Sequence, residues 1–206
     1  AASDVYKRQI LKQILHTYRK GSLTMLTIDA AKSIVLREID KQTVDSNQVE
    51  NLLTRLMQAA TIFITGHGRS GLVAAMFGNR LLQLGLKVHI VGEVTCPPVK
   101  EGDLLLVVSG SGNSSSLLEA AKTALTAHAD VALVTATEES SLVGLVPTVV
   151  LIRTDSKKTI HKLSQQPMGA LFEQSCLILF EGCVICLQER LNRTEAFMEV
   201  HHANIE

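Results

Sequence analysis

Apolar positions in the first sixty residues recur at helical spacing. Ile10, Leu11, Ile14, Leu15 and Tyr18 follow the i, i+3, i+4 rule until Gly21 interrupts it. Leu26, Ile28, Ala31, Ile34 and Val35 predict a second helix. Val49, Leu52, Leu53, Leu56 and Met57 predict a third, with Asp45 or Ser46 as its N-cap. No strand precedes these helices, so residues 1–60 read as a helical arm packed on the sheet or on another subunit. From Thr61 the pattern changes to short β-rich runs at 61–65, 87–91, 103–109, 130–135 and 148–152, separated by helical stretches near 70–84, 114–128 and 139–145. Runs that are apolar on both faces and alternate with helices predict an α/β domain built on a doubly wound, five-stranded parallel sheet, with its ligand beyond the carboxyl ends of the strands. A final helix is expected from Pro167 to Arg190, with proline at its start.

Composition narrows the class. The 206 residues are 46% apolar and 19% charged, enough for one domain with a substantial core. Twenty basic residues balance twenty acidic ones, which argues against a nucleic-acid partner, and 3% aromatics without Trp argue against base-stacking platforms. Of the four cysteines, Cys176, Cys183 and Cys186 fall near one buried face of the last helix. Cys183-Val-Ile-Cys186 lies too deep in that helix for a redox motif, which sits at a helix N-terminus. No His accompanies the pair at zinc-site spacing, and no metal site is expected. The N-terminus carries charges where a leader needs an apolar stretch. The run from Cys176 to Leu187 is interrupted by Glu181 and too short to span a bilayer. The expectation is a reduced, soluble, cytoplasmic protein without a membrane partner.

Two glycine loops carry the candidate chemistry. Gly66-His67-Gly68-Arg69-Ser70-Gly71 follows the first strand and opens a helix, matching the dinucleotide fingerprint G-x-G-x-x-G, and Glu93 lies about where a ribose-binding acid belongs. A nicotinamide-dependent oxidoreductase is therefore one reading. It leaves no room for a substrate domain, and it leaves the second loop unexplained. That loop, Ser109-Gly110-Ser111-Gly112-Asn113-Ser114-Ser115-Ser116, lies between the third strand and its helix. Amides and hydroxyls at a helix N-terminus suit a phosphate monoester, and the loop lacks the length and the Lys of a Walker A motif. A plain helix-capping turn is the alternative.

TGHGRSG followed by SGSGNS resembles the sugar-isomerase (SIS) domain family. Gln166-Pro167-Met168-Gly169-Ala170-Leu171-Phe172-Glu173-Gln174 and the closing His202-Ala203-Asn204-Ile205-Glu206 resemble the 6-phospho-3-hexuloisomerases within it, from about Ile10 onward. The resemblance implies one SIS domain of flavodoxin-like fold over 1–206, with 167–206 as active-site helix and tail. It implies interconversion of D-arabino-hex-3-ulose 6-phosphate and fructose 6-phosphate through an enediol, with no cofactor. It also implies a homodimer or homotetramer, and hexulose-phosphate synthase as pathway partner. Glu173, on an otherwise apolar stretch, is then the general base. His202 is a second catalytic residue, serving the site of a neighbouring subunit. Ser70, Arg69, Ser109, Gly110, Ser111, Gly112, Asn113 and Ser114 are substrate-binding. Arg69 either contacts the ligand or pairs with an acid such as Glu93, and His67 merely fills its loop. Ser114 stands where Thr is common, Ala170 where Ser is frequent and His201 where Arg is usual, and Thr135-Ala136-Thr137 lacks the usual Asn. Another phosphosugar isomerase, such as one for arabinose 5-phosphate, and a non-catalytic phosphosugar-binding module remain as rivals.

Overall fold

A computed structural model describes residues 26–154 and 164–205. The chain divides into two compact units, Ala1–Arg37 and Glu38–Glu206. The expected helix at 10–18 lies outside the described residues. Helix α1 (Ile28–Asp40) begins in the first unit. The second unit holds helix α2 (Ser46–Gln58), strand β1 (Ile62–Gly66), helix α3 (Gly68–Gln83), strands β2 (Val88–Ile90) and β3 (Leu104–Val108) and helix α4 (Ser115–Thr126). Strands β4 (Asp130–Thr135) and β5 (Thr148–Leu151) follow, then helices α5 (Ala170–Arg190) and α6 (Glu195–Val200).

The five strands are all parallel, in the order β2-β1-β3-β4-β5. Side chains alternate across each strand, so each one feeds two cores. Ile62, Ile64, Leu104, Leu106, Ala132 and Val134 meet α2, α3 and α5 on one face. Phe63, Leu105, Val107, Val131 and Leu133 meet α4 on the other. This is the doubly wound architecture that the apolar runs predict. Helix α2 is capped by Asp45, whose carboxylate accepts from Asn47 N–H at 2.8 Å, and it buries Leu52, Leu53 and Leu56 completely. It is a core helix packed on the sheet, and the second compact unit extends N-terminally to Glu38.

Three local details differ from what the sequence predicts. Residues 141–145 form turns, not a helix, although Leu142 and Val146 are buried at helical spacing. Val143 N–H bonds the Ser140 hydroxyl at 3.1 Å and Leu142 N–H the Gly112 carbonyl at 3.1 Å, which ties the segment to the second glycine loop. The last long helix begins at Ala170 instead of Pro167, because Met168 sits at φ +58°, outside the right-handed helical region. The short helix α6, which the apolar pattern does not announce, follows it with Thr194 Oγ1 accepting from Phe197 N–H.

Helix α5 has 21 residues and is long and apolar enough to cross a membrane by length and composition. Half of its most apolar window is buried in protein, and the Phe180 ring stacks on Phe77 of α3 at 4.3 Å, the packing of a core helix. Cys176 and Cys183 face the same core, and burial pushes the Cys183 thiol up to about 12. These thiols behave as small apolar residues.

Candidate active site

The loops leaving the carboxyl ends of β1, β3 and β4 face the first turn of α5 around a cavity of about 470 Å³. Its place follows from the sheet order. Helix α3 after β1 and α4 after β3 cover opposite faces, so the loops diverge and open a crevice between neighbouring strands. His67 and Ser70 line it from the first loop. Ser109, Gly110, Ser111, Asn113 and Ser114 line it from the second, Thr137 from the loop after β4, and Gly169, Phe172 and Glu173 from the C-terminal helix.

In the first loop, the approach of α3 to β1 requires glycine: a Cβ on Gly71 would lie 2.5 Å from the Gly66 carbonyl oxygen. The second loop is braced from within. Ser109 Oγ accepts from Gly112 N–H at 3.2 Å. Asn113 Oδ1 accepts from Ser141 N–H at 3.0 Å while its Nδ2 donates to the Ser111 carbonyl at 2.9 Å. Gly112 itself is buried beneath the loop at φ +61°, and a Cβ there would meet Ser140 Oγ at 2.1 Å. Ser109, Gly112 and Asn113 thus spend their polar groups or their conformational freedom on the shape of the cradle. Ser111 and Ser114 are left as its hydroxyl donors. Ser114 precedes α4 without a side-chain cap bond, so the first-turn N–H groups of that helix stay available to an anion.

Glu173 lies in the first turn of α5 and is 3% exposed. One carboxylate oxygen accepts from Arg69 Nε, an ion pair that joins the first loop to the C-terminal helix. Arg69 therefore pairs with the candidate base and not with Glu93, which takes part in a turn after β2 and receives Cys96 N–H at 3.0 Å. His202 is not brought to this cavity. It is exposed, its Nδ1 lies 2.9 Å from the Ala203 carbonyl, and it lines a separate groove with Arg80, Glu181, Glu195 and Glu199. His201 packs its ring on Phe197.

His67, Thr137, Gly169 and Phe172 line the cavity without having been expected as site residues. Thr137 lies in the Thr135-Ala136-Thr137 segment, which the resemblance marks only for lacking its usual Asn. His67 is visible in the first loop, but its partner, Ser116, lies 49 positions away, with Nε2 2.8 Å from Oγ. Among the described residues no group of three or more His, Cys, Asp or Glu is placed to hold a metal ion.

The segment that delivers Glu173 is anchored from the N-terminal side. Glu38 accepts from Ser164 Oγ at 2.7 Å, Gln165 N–H at 2.8 Å and Gln166 Nε2 at 2.9 Å. Burial by itself raises the Glu38 carboxyl, but these three bonds and the charge of Lys41 outweigh it and hold the group below the ordinary value of 4.5. A carboxyl depressed in the folded state contributes stability that is present above the unfolded value and lost as pH falls through the folded one. Denaturant unfolding of wild type and Glu38→Gln from about pH 6 to about pH 3 is expected to show a constant stability difference at the top of that range, shrinking below about 4.5.

Similarity to known proteins assigns the family. The model of the SIS domain family matches residues 55–177, from the end of α2 through the first turns of α5. The 3-hexulose-6-phosphate isomerase of Mycobacterium gastri is 39% identical over 165 residues, 79% of this chain and 82% of its own. The Bacillus subtilis 3-hexulose-6-phosphate isomerase is 37% identical over 166 residues, 79% of this chain and 89% of its own. A Methanococcus jannaschii protein, for which a crystal structure was taken to infer the function of 3-hexulose-6-phosphate isomerase, superposes with a TM-score of 0.73 and 29% identity over 85% of this chain and 99% of that one. Matched by the family model over more than half its length and by such relatives over most of theirs, the chain belongs to the SIS domain family.

Proposed function

We propose that the protein is an isomerase that interconverts D-arabino-hex-3-ulose 6-phosphate and D-fructose 6-phosphate. The observation that carries the reading is a buried carboxylate, Glu173, on the wall of a cavity whose opposite side is a cradle of serine hydroxyls and helix N–H groups. The cradle suits the phosphate and the carboxylate suits a carbon acid. The identity to 3-hexulose-6-phosphate isomerases over most of the chain supplies the substrate class.

The chemistry moves a carbonyl from C3 to C2. Glu173 takes the proton from C2, the electrons of that C–H bond form the C2=C3 double bond, and the C3 carbonyl oxygen becomes an enediol oxygen. Return of the proton to C3, with transfer of the O2 hydroxyl proton toward O3, leaves the carbonyl at C2. Arg69 holds Glu173 through Nε. Its terminal nitrogens are then the groups that steady the negative charge developing on the enediol oxygens. Ser70 binds the sugar hydroxyls, and no step calls for a cofactor.

The oligomeric reading belongs to the same proposal. His202 is exposed and remote from its own chain's cavity, which supports a homodimer or homotetramer in which the His202 segment serves a neighbouring copy. The substrate would come from hexulose-phosphate synthase, in the cytoplasm. The test is direct. Purified protein, given hex-3-ulose 6-phosphate made by the synthase from formaldehyde and ribulose 5-phosphate, is expected to release fructose 6-phosphate. Failure to form it would overturn the assignment, and conversion of arabinose 5-phosphate instead would move the chain to the rival isomerase.

A further inference from the structure

Two side chains that precede helices in this site do not cap them. His67 stands before α3 and Ser114 before α4, both in extended backbone, and neither makes a side-chain cap bond. They are joined to each other instead. His67 Nε2 lies 2.8 Å from Ser116 Oγ, and Ser116 Oγ lies 3.2 Å from Ser114 Oγ. His67 and Ser114 both line the cavity. Ser109 and Asn113 are tied into the loop itself, so this chain is what orients the Ser114 hydroxyl.

We propose that His67 is a positioning residue for phosphate recognition. With its ring proton on Nε2 it donates to Ser116, Ser116 donates to Ser114, and the Ser114 O–H is left pointing at the ligand as a donor. The direction follows from the inventory of groups. A ring N–H only donates, and a hydroxyl both donates and accepts, so a chain begun by N–H ends in a free O–H. Run the other way, with Nε2 accepting, the same chain would spend the Ser114 proton on Ser116 and turn lone pairs toward an anion. A phosphate dianion selects the first order and is repelled by the second. His67 thereby couples the first glycine loop, which holds the sugar end, to the second, which holds the phosphate end. The inference rests on the phosphosugar reading above and adds a residue to it.

The experiment measures binding of inorganic phosphate and of fructose 6-phosphate by calorimetry, and turnover in parallel, for wild type, His67→Ala, His67→Gln, Ser116→Ala and the His67→Ala/Ser116→Ala double variant. The two single alanine variants are each expected to weaken both ligands about fivefold, the effect of one misdirected hydrogen bond to a charged group. The double variant should lose no more than the larger single loss, because one chain is broken once. His67→Gln, whose amide N–H replaces the ring N–H, should bind within about twofold of wild type. In turnover, KM should rise in the alanine variants by much more than kcat falls. Wild-type binding by His67→Ala, or fully additive losses in the double variant, would overturn the role of His67 and leave the phosphosugar reading standing. A wild-type protein that binds neither ligand would overturn both.

Discussion

Glu173→Gln is expected to lower turnover by about 10²–10⁴, the usual contribution of a positioned general base. The amide keeps the shape of the carboxylate and can still meet Arg69, but it has no basic lone pair with which to take a proton from carbon. On the proposed reading the phosphate is held by the loop after β3, so KM should change far less than kcat. Enzyme-dependent exchange of the C2 or C3 hydrogen with deuterated solvent should disappear together with turnover. Glu173 is buried beside Phe172, so the melting temperature has to be followed in the same samples. A folded Glu173→Gln protein that turns over at nearly the wild-type rate would remove Glu173 from the mechanism and make His202 the next residue to test as the base.

Removal of the two cradle hydroxyls in Ser111→Ala/Ser114→Ala should raise KM for the phosphosugar on the order of 10²-fold. Each hydroxyl is a donor to a charged group, worth about 1.5 kcal/mol at the low end of the range. The loop should keep its shape, because Ser109, Gly112 and Asn113 make its internal bonds and are untouched. Steady-state kinetics and phosphate binding check the same quantity independently. An unchanged KM would reduce the loop to a helix start with no ligand.

The sheet and its two cores are legible in the sequence, because β-rich runs such as Leu104–Val108 are short, apolar at every position and bounded by turn residues, as strands covered on both faces are. Both glycine loops are legible for a related reason: backbone that must approach other backbone closely leaves glycine behind, as at Gly71 against the Gly66 carbonyl. The contacts that complete the site are not local and leave no periodicity. Arg69 reaches Glu173 across 104 positions and Glu38 reaches Ser164 across 126, and nothing in spacing distinguishes Glu173 from Glu93 as the partner. The segment 139–145 misleads for the opposite reason. Leu142 and Val146 are spaced like a helix face, but Leu142 N–H is committed to the Gly112 carbonyl and Val143 N–H to the Ser140 hydroxyl. The late start of α5 turns on the single backbone angle of Met168, a property that side-chain pattern does not encode.

Helix α5 presents Glu173 to the cavity and, through Phe172, Cys176, Phe180, Cys183 and Leu187, completes the core that α2 and α3 begin on one side of the sheet. Synthesis proceeds from the N-terminus, so all five strands leave the ribosome before this helix does. Until it docks, the inner side of α3, with Phe77 and Leu81, and the strand residues beneath it stand open to water. A chain synthesised only as far as β5 would carry both glycine loops, expose this apolar surface and lack Glu173. On the proposed mechanism, the event that buries this apolar surface is also the one that brings the base, Glu173, to the cavity. A molecule competent for proton transfer has by then lost its main route into aggregates, and one stalled short of that step offers chaperones an apolar sheet face to bind.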